Sequence, residues 1–206
     1  METRLLFVRH GESVHKTAGV VGGPNGCQGL TEAGHGQARL LAERLREEVA
    51  GPVAVYSSVL RRAVETAEPI AAAFAAVPEQ HCGLCTWHTP SYADGMPMRE
   101  FHAAHGVPGG GVFRPSQEGN ETWAELIART GRAILDIAHL RRGGTAILVG
   151  HAETVESSFH ALAARPLDRA FDLAVAPASV TEWTTGGDPT AWPAPRWTLH
   201  RCNDVR

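Results

Sequence analysis

Three short apolar runs each end on a polar cluster containing arginine or histidine, and this repetition constrains the fold more than anything else in the chain. Leu5-Leu6-Phe7-Val8 stops on Arg9-His10-Gly11-Glu12, Val53-Ala54-Val55-Tyr56 leads to Ser57-Ser58 and Arg61-Arg62, and Thr145-Ala146-Ile147-Leu148-Val149 delivers Gly150-His151-Ala152-Glu153. Runs of this length, rich in β-branched and aromatic residues and bounded by polar turns, read as buried strands. Helical periodicity separates them, so the expected fold class is α/β, built on a mainly parallel sheet. In such a sheet all carboxyl ends share one edge, and ligands bind there.

The helices are legible in varying degrees. Thr31 is a good N-cap, Ala38, Leu41, Leu45 and Val49 follow at helical spacing, and Gly51-Pro52 closes the run. A second, alanine-rich helix is expected from Leu60 to about Ala76, with Arg61 and Arg62 in its first turn, where free backbone N–H groups also favour an anion. A third is expected from an Asn120 cap to Gly143-Gly144, its apolar face formed by Trp123, Leu126, Ile127, Thr130, Ile134, Ile137 and Ala138. A fourth covers Glu153 to Ala164.

Between these elements the pattern weakens. Residues 13–30 lack periodicity and read as a loop. Residues 79–118 read as a strand near His81 to Cys85, followed by an insertion at about 86–118 over the carboxyl edge, with a short helix at Met98 to Ala104. Its His102 and His105 read as solvent-facing, and Trp87, His88 and Tyr92 as packing under a loop, the alternative being that they line the pocket. Late strands are expected at Phe171–Val175, Val180–Trp183 and Arg196–His200, and turns rather than helices join them, so they form an antiparallel edge.

At 206 residues, 43% hydrophobic and 20% charged, the chain suits a single domain spanning 1–206. A formal net charge of −3 argues against a nucleic-acid partner held by bulk electrostatics, although Arg61-Arg62 or Arg141-Arg142 suffice for a small anion. No apolar stretch approaches the ~20 residues of a membrane span, and the opening apolar run is too short for a signal peptide, so the expected location is cytoplasmic. Cys27, Cys82, Cys85 and Cys202 are too scattered for a disulfide scaffold. The Cys82-x-x-Cys85 pair invites a redox or zinc reading, but no second such pair accompanies it, and neither a metal nor a cofactor is expected.

Brought to one edge, Arg9, His10, Arg62 and His151 make a cationic, donor-rich pocket. Phosphoryl transfer calls for this set, because charge spreads over three equatorial oxygens and catalysis is largely positioning and electrostatic stabilisation. Arginines clamp those oxygens while a neutral imidazole attacks phosphorus, and one ring nitrogen keeps its lone pair if a backbone carbonyl holds the other. His10 fits the nucleophile and His151 the second donor.

These residues resemble the histidine phosphatase superfamily, in its phosphoglycerate-mutase-like branch. The likeness rests on Arg9-His10-Gly11-Glu12, on Ser57-Ser58-x-Leu60-x-Arg62-Ala63-x-x-Thr66-Ala67, on the strand ending at Gly150-His151, and on Leu30-Thr31-Glu32-x-Gly34. It covers roughly residues 4–165. It implies a three-layer α/β fold, a phosphohistidine at His10, a phosphate pocket from Arg9, Arg62 and His151, and substrate-binding positions at Ser13 and Lys16. The partner implied is a small phosphorylated substrate; oligomeric state is left open, a homodimer being the assembly considered.

The chain departs from the family pattern where protons matter. Lys16 stands where many members have an asparagine, and Ser58-Val59-Leu60 replaces Ser-Asp-Leu. The family's usual acid is a glutamate in a Leu-x-Glu context, and here Leu84-Cys85-Thr86 carries a threonine, whose hydroxyl is a poor general acid. His151-Ala152-Glu153 resembles the His-Ala-Glu arrangement of a phytase-like subgroup, making Glu153 the first candidate, with Asp94 and Glu121 next. The expected activity is therefore metal-independent hydrolysis of a phosphomonoester; the alternatives are a phospho-ligand-binding pseudo-enzyme and a phosphoglycerate-type mutase.

Overall fold

The computed structural model describes residues 2–169 and 172–206. In chain order the elements are β1 (Thr3–Arg9), α1 (Val14–Ala18), α2 (Glu32–Glu48), β2 (Val53–Ser57), α3 (Arg61–Ala73), β3 (Glu79–Gln80), two 3₁₀ turns at Cys82–Leu84 and Ser91–Ala93, α4 (Met98–His105), α5 (Trp123–Leu140), β4 (Thr145–Gly150), α6 (Ala152–Leu162), β5 (Val180–Thr185) and β6 (Thr198–Asp204). They build one six-stranded sheet in the order β3-β2-β4-β1-β5-β6. The first four positions are mutually parallel, and β5 and β6 run antiparallel at the other edge.

Period-2 alternation divides the core into two layers. Leu6 and Val8 of β1 pack with Val55, Ile147 and Val149 beneath α2 and α3, through Leu41, Leu45, Ala67 and Ile70. Leu5 and Phe7 point the other way and meet Tyr56, Leu148 and Trp183 beneath α5 and α6, through Ile134, Ile137 and Val155. Alternate side chains of one strand thus face opposite helical layers, as a sheet covered on both sides requires.

Local chemistry sets the boundaries, and in several places it overrides the sequence reading. α2 starts as expected, Thr31 Oγ1 accepting the Gly34 N–H at 3.0 Å. The cap of α5 is Thr122 rather than Asn120: Thr122 Oγ1 accepts the Glu125 N–H at 3.2 Å, and Glu125 Oε2 accepts the Thr122 N–H at 2.8 Å. This reciprocal capping box satisfies two otherwise free donors. The expected loop at 13–30 contains α1, which buries no residue and so has no apolar periodicity to reveal it.

The strand expected at His81–Cys85 is instead displaced to β3, and residues 82–84 form a 3₁₀ turn. His81 Nδ1 accepts the Gly83 N–H at 3.0 Å, taking a donor that a strand would offer to its neighbour. Of the strand expected at 171–175, Phe171 lies outside the described residues and 172–175 have no strand pairing. The last strand begins two residues later than expected, at Thr198, and continues to Asp204.

Candidate active site

β4 lies between β1 and β2, and its register decides what meets at the carboxyl edge. Arg9 pairs with Gly150, and the His10 N–H continues the ladder to the Gly150 carbonyl at 2.9 Å, so the residue after each strand is a histidine. The His10 and His151 ring centroids are 5.2 Å apart. On the other flank the Ser58 N–H donates to the Val149 carbonyl at 2.9 Å, placing Ser58 beside the end of β4.

The Arg9-His10-Gly11-Glu12 turn is anchored by the helices below. The Gly11 N–H donates to Thr66 Oγ1 at 3.1 Å, and Thr66 Oγ1 donates to the Arg62 carbonyl at 2.8 Å. The Glu12 N–H donates to Gln37 Oε1 at 2.8 Å, and Thr31 Oγ1 donates to Glu12 Oε1 at 2.7 Å. α2 approaches so closely that a Cβ on Gly34 would sit 2.0 Å from the Glu12 carbonyl oxygen. The physical content of the Leu-Thr-Glu-x-Gly segment is therefore a cap and a close approach that seat the turn.

His10 Nδ1 lies 2.7 Å from the Gly11 carbonyl, which can only accept, so Nδ1 carries the proton and Nε2 keeps its lone pair. Burial, and then the Arg62 guanidinium, holds the His10 pKa well below the ordinary histidine value; the imidazole is neutral. His151 is the complement. Its Nδ1 faces the Arg62 Nη2 donor at 3.4 Å, and its Nε2 donates to Ser58 Oγ at 2.9 Å. Burial first and Arg62 second also lower its pKa well below the ordinary value.

Both arginines are only partly partnered. Arg62, 2% exposed, donates to the Gly22 carbonyl at 2.8 Å, while Arg9 donates to the Val175 carbonyl; each has a buried Nε without a partner. Neighbouring Arg61 points to solvent and pairs with Glu65 at 2.6 Å, so of the two only Arg62 enters the site. A cavity of about 860 Å³ opens over this edge, and Arg9, His10, Lys16, Arg62, His151 and Glu153 all line it. Ser13 does not: it is the N-cap residue of α1, buried at 1% exposure, its Oγ unpartnered.

The three carboxylates considered as acids are separated by geometry. Glu153 lines the cavity, and its Oε2 accepts a hydrogen bond from Thr86 Oγ1 at 3.0 Å. Asp94 accepts the N–H groups of Asn25 and Gly26 at 2.6 and 2.7 Å, stapling two loops. Glu121 is held by Arg129 through contacts of 2.9 and 2.8 Å and takes the His88 N–H at 3.1 Å. Asp94 and Glu121 are therefore structural and sit off the cavity wall.

The family model of the histidine phosphatase superfamily (branch 1) matches residues 5–199. The chain belongs to that superfamily. It is thus a phosphoric monoester hydrolase by family. A metal-independent phosphoserine phosphatase of Arabidopsis thaliana is 32% identical over 171 residues, 76% of this chain and 67% of the plant protein. A mycobacterial glucosyl-3-phosphoglycerate phosphatase complexed with VO3 superposes with a TM-score of 0.78 at 25% identity, covering 98% of this chain and 99% of that one. A phosphoserine phosphatase from Entamoeba histolytica in complex with phosphoserine shares the fold, with a TM-score of 0.73 at 19% identity over 99% and 98% of the two chains.

Several wall residues were not singled out from sequence. His15 and Arg169 line the cavity, as do Trp87, Met98, Phe101 and His102 from the 86–118 segment. Trp87 was read first as packing, with pocket lining as the alternative; it does both, packing on Trp123 with centroids 5.7 Å apart and facing the cavity. His15 sits on α1 beside Lys16, and burial followed by the charge of Arg62 lowers its pKa to about 4. Its spacing of five residues from His10 was the one available signal, invisible without α1.

Proposed function

We propose that this chain hydrolyses a small phosphomonoester bearing a second anionic group, without a metal, through a phosphohistidine at His10. The observation that carries the reading is the His10 ring itself: Nδ1–H is spent on the Gly11 carbonyl, Nε2 is free and neutral, and two under-partnered guanidiniums face the same space. A phosphoryl group there would meet Arg9 and Arg62 as clamps for its equatorial oxygens. It would also reverse the charge balance at His151, making Nδ1 a proton carrier and donor.

In the first step His10 Nε2 attacks phosphorus, the P–O ester bond breaks, and the Glu153 carboxyl gives its proton to the leaving oxygen. In the second, Glu153 carboxylate takes a proton from water, the oxygen attacks the phosphohistidine, and the P–N bond breaks to release phosphate. Glu153 suits both steps because Thr86 fixes its carboxylate on the cavity wall.

The second anionic group is read from charges beyond the clamp. Lys16 lies on one side of the cavity, and Arg169 on another, stacked 4.7 Å from the Trp123 ring. Phosphoserine and glucosyl-3-phosphoglycerate, named for the relatives, both place a carboxylate near the phosphoester. The chain acts as a single catalytic domain, with 86–118 shaping the leaving-group side, and works on a cytoplasmic metabolite; the four free cysteines agree with a reducing compartment.

The test is a rapid quench into alkaline detergent, which preserves a P–N bond, with labelled phosphoserine in EDTA. Wild type should accumulate an acid-labile, base-stable phosphoenzyme that turns over, and His10→Ala should give neither label nor product. A wild type inactive on every phosphomonoester tried, or a His10→Ala variant that still labels, overturns the reading.

A further inference from the structure

One cluster of metal-ligating side chains stands outside the phosphate cavity among the described residues: Cys82, Cys85 and His88. All three ligand atoms lie within 4.8 Å of one another, the two sulfurs 3.9 Å apart and Cys82 Sγ 3.6 Å from His88 Nε2. A tetrahedral zinc with bonds of about 2.3 Å to sulfur and about 2.0 Å to nitrogen separates its sulfurs by roughly 3.8 Å and a sulfur–nitrogen pair by roughly 3.5 Å. Cys82 Sγ already stands at those separations from Cys85 Sγ and from His88 Nε2, and the third pair, Cys85 with His88, lies within 4.8 Å. We propose that Cys82, Cys85 and His88 form a three-ligand site for a zinc-like cation, with a solvent molecule in the fourth position.

The framework around the ligands is built independently of any ion. Arg129 donates to the carbonyls of Cys82 at 3.3 Å and of Gly83, Cys85 and Thr86 at 3.1 Å each. Glu121 grips Arg129 and accepts the His88 N–H at 3.1 Å, so one ion pair fixes the backbone of all three ligands. Gly83 lets the turn lie against α5, where a Cβ would come within 2.5 Å of the Ala133 methyl. Such outer partners hold ligands in place before the metal arrives.

The donor set selects the cation. Two thiols and an imidazole suit zinc and other thiophilic ions rather than magnesium or calcium, which need oxygen ligands. Binding converts both thiols to thiolates and releases two protons, so affinity rises with pH. The rival use of the same pair, a Cys82–Cys85 disulfide, gives His88 no part, and both cysteines are thiols here.

The site is separate from the chemistry yet wired to it. Ser58 Oγ donates to Cys85 Sγ at 3.3 Å and accepts from His151, while Thr86, adjacent to Cys85, holds Glu153. A bound ion would stiffen this segment without touching phosphorus, and the proposal stands whether or not the reading of the cavity does.

The experiment titrates the full chain, reduced and metal-stripped, with Co²⁺ under anaerobic conditions. Expected is one equivalent per chain, with a thiolate-to-cobalt charge-transfer band and intense tetrahedral d–d absorption that Zn²⁺ bleaches. Cys82→Ser and His88→Ala change exposed side chains, and nitrophenyl phosphate hydrolysis in EDTA checks that they fold. Each should weaken binding by more than the roughly 10–100-fold that loss of an outer-shell partner costs, whereas Cys27→Ser and Cys202→Ser should bind as wild type. A reduced wild type without the band overturns the proposal, as does a band that survives His88→Ala or disappears with Cys27→Ser or Cys202→Ser.

Discussion

Thr86 Oγ1 donates a 3.0 Å hydrogen bond to Glu153 Oε2, so the threonine at the superfamily's usual acid position holds a glutamate delivered from the end of β4. If that glutamate supplies the proton, its removal should be felt in proportion to how much the leaving oxygen needs one. Glu153→Gln is expected to slow hydrolysis of an alkyl ester such as phosphoserine by about 10²–10⁴-fold, and of nitrophenyl phosphate far less. Parallel kcat/KM measurements on the two substrates decide it, and equal losses would remove Glu153 from the mechanism.

The two adjacent arginines of α3 should behave oppositely. Arg62 is buried with its planar donors divided between Gly22 and His151, whereas Arg61 is 67% exposed and paired with Glu65. Arg62→Lys loses the fork geometry and is expected to lower kcat/KM by roughly 10²–10³-fold. Arg61→Gln should leave it within about twofold, since exposed pairs contribute little. Steady-state kinetics with inorganic phosphate as a competing ligand distinguish lost clamping from a general defect.

Acid should weaken the fold through its buried imidazoles. His10 and His151 have native pKa values well below 6.5, and His15 lies at about 4, in each case chiefly because burial disfavours the charged form. Below the unfolded-state value near 6.5 the unfolded chain takes up protons that the native chain refuses, so stability is full above that pH and falls as pH drops below it. Thermal melts between pH 7 and pH 4 should show this decline, and His15→Gln should have a shallower slope; identical slopes would count against a half-buried, neutral His15.

Two glycines of α2 offer a paired stability test. A Cβ on Gly34 would meet the Glu12 carbonyl at 2.0 Å, while one on Gly36 meets nothing within 4 Å. Gly34→Ala should destabilise by about 1–3 kcal/mol through forced backbone movement, and Gly36→Ala should stabilise by about 0.4–1 kcal/mol through the unfolded chain. Urea midpoints at constant slope measure both.

The elements that were legible from sequence are those whose burial leaves a periodic trace. β1, β2 and β4 announce themselves because both faces are covered, and α2 and α5 because one face is. The convergence of Arg9, His10, Arg62 and His151 on one cavity follows from strand polarity, and Glu153 from its place after His151. What escaped has no such trace. α1 buries nothing, the 3₁₀ turn at 82–84 is set by a histidine side chain capturing a backbone donor, and His15 and Arg169 reach the cavity from segments without periodicity. Ser13 follows the motif in sequence but is the buried N-cap of α1 and does not line the cavity.

The segment at 86–118 is tied down by hydrogen bonds, among them Asp94 to the Asn25 and Gly26 N–H groups and the Ala124 N–H to the Val112 carbonyl at 2.9 Å, and by two small apolar contacts. One joins Ala93 and Phe101 to Val21, and the other joins Trp87 and Val112 to the start of α5. The residues proposed to clamp phosphate all hang from strand ends or from α3 and owe that segment no hydrogen bond among those described. On the proposed function, recognition of the leaving group is thereby modular. An exchange of residues 87–118, with these anchors and the Thr86 hold on Glu153 kept, offers evolution or an engineer a way to retarget the enzyme while the phosphate clamp stays in place.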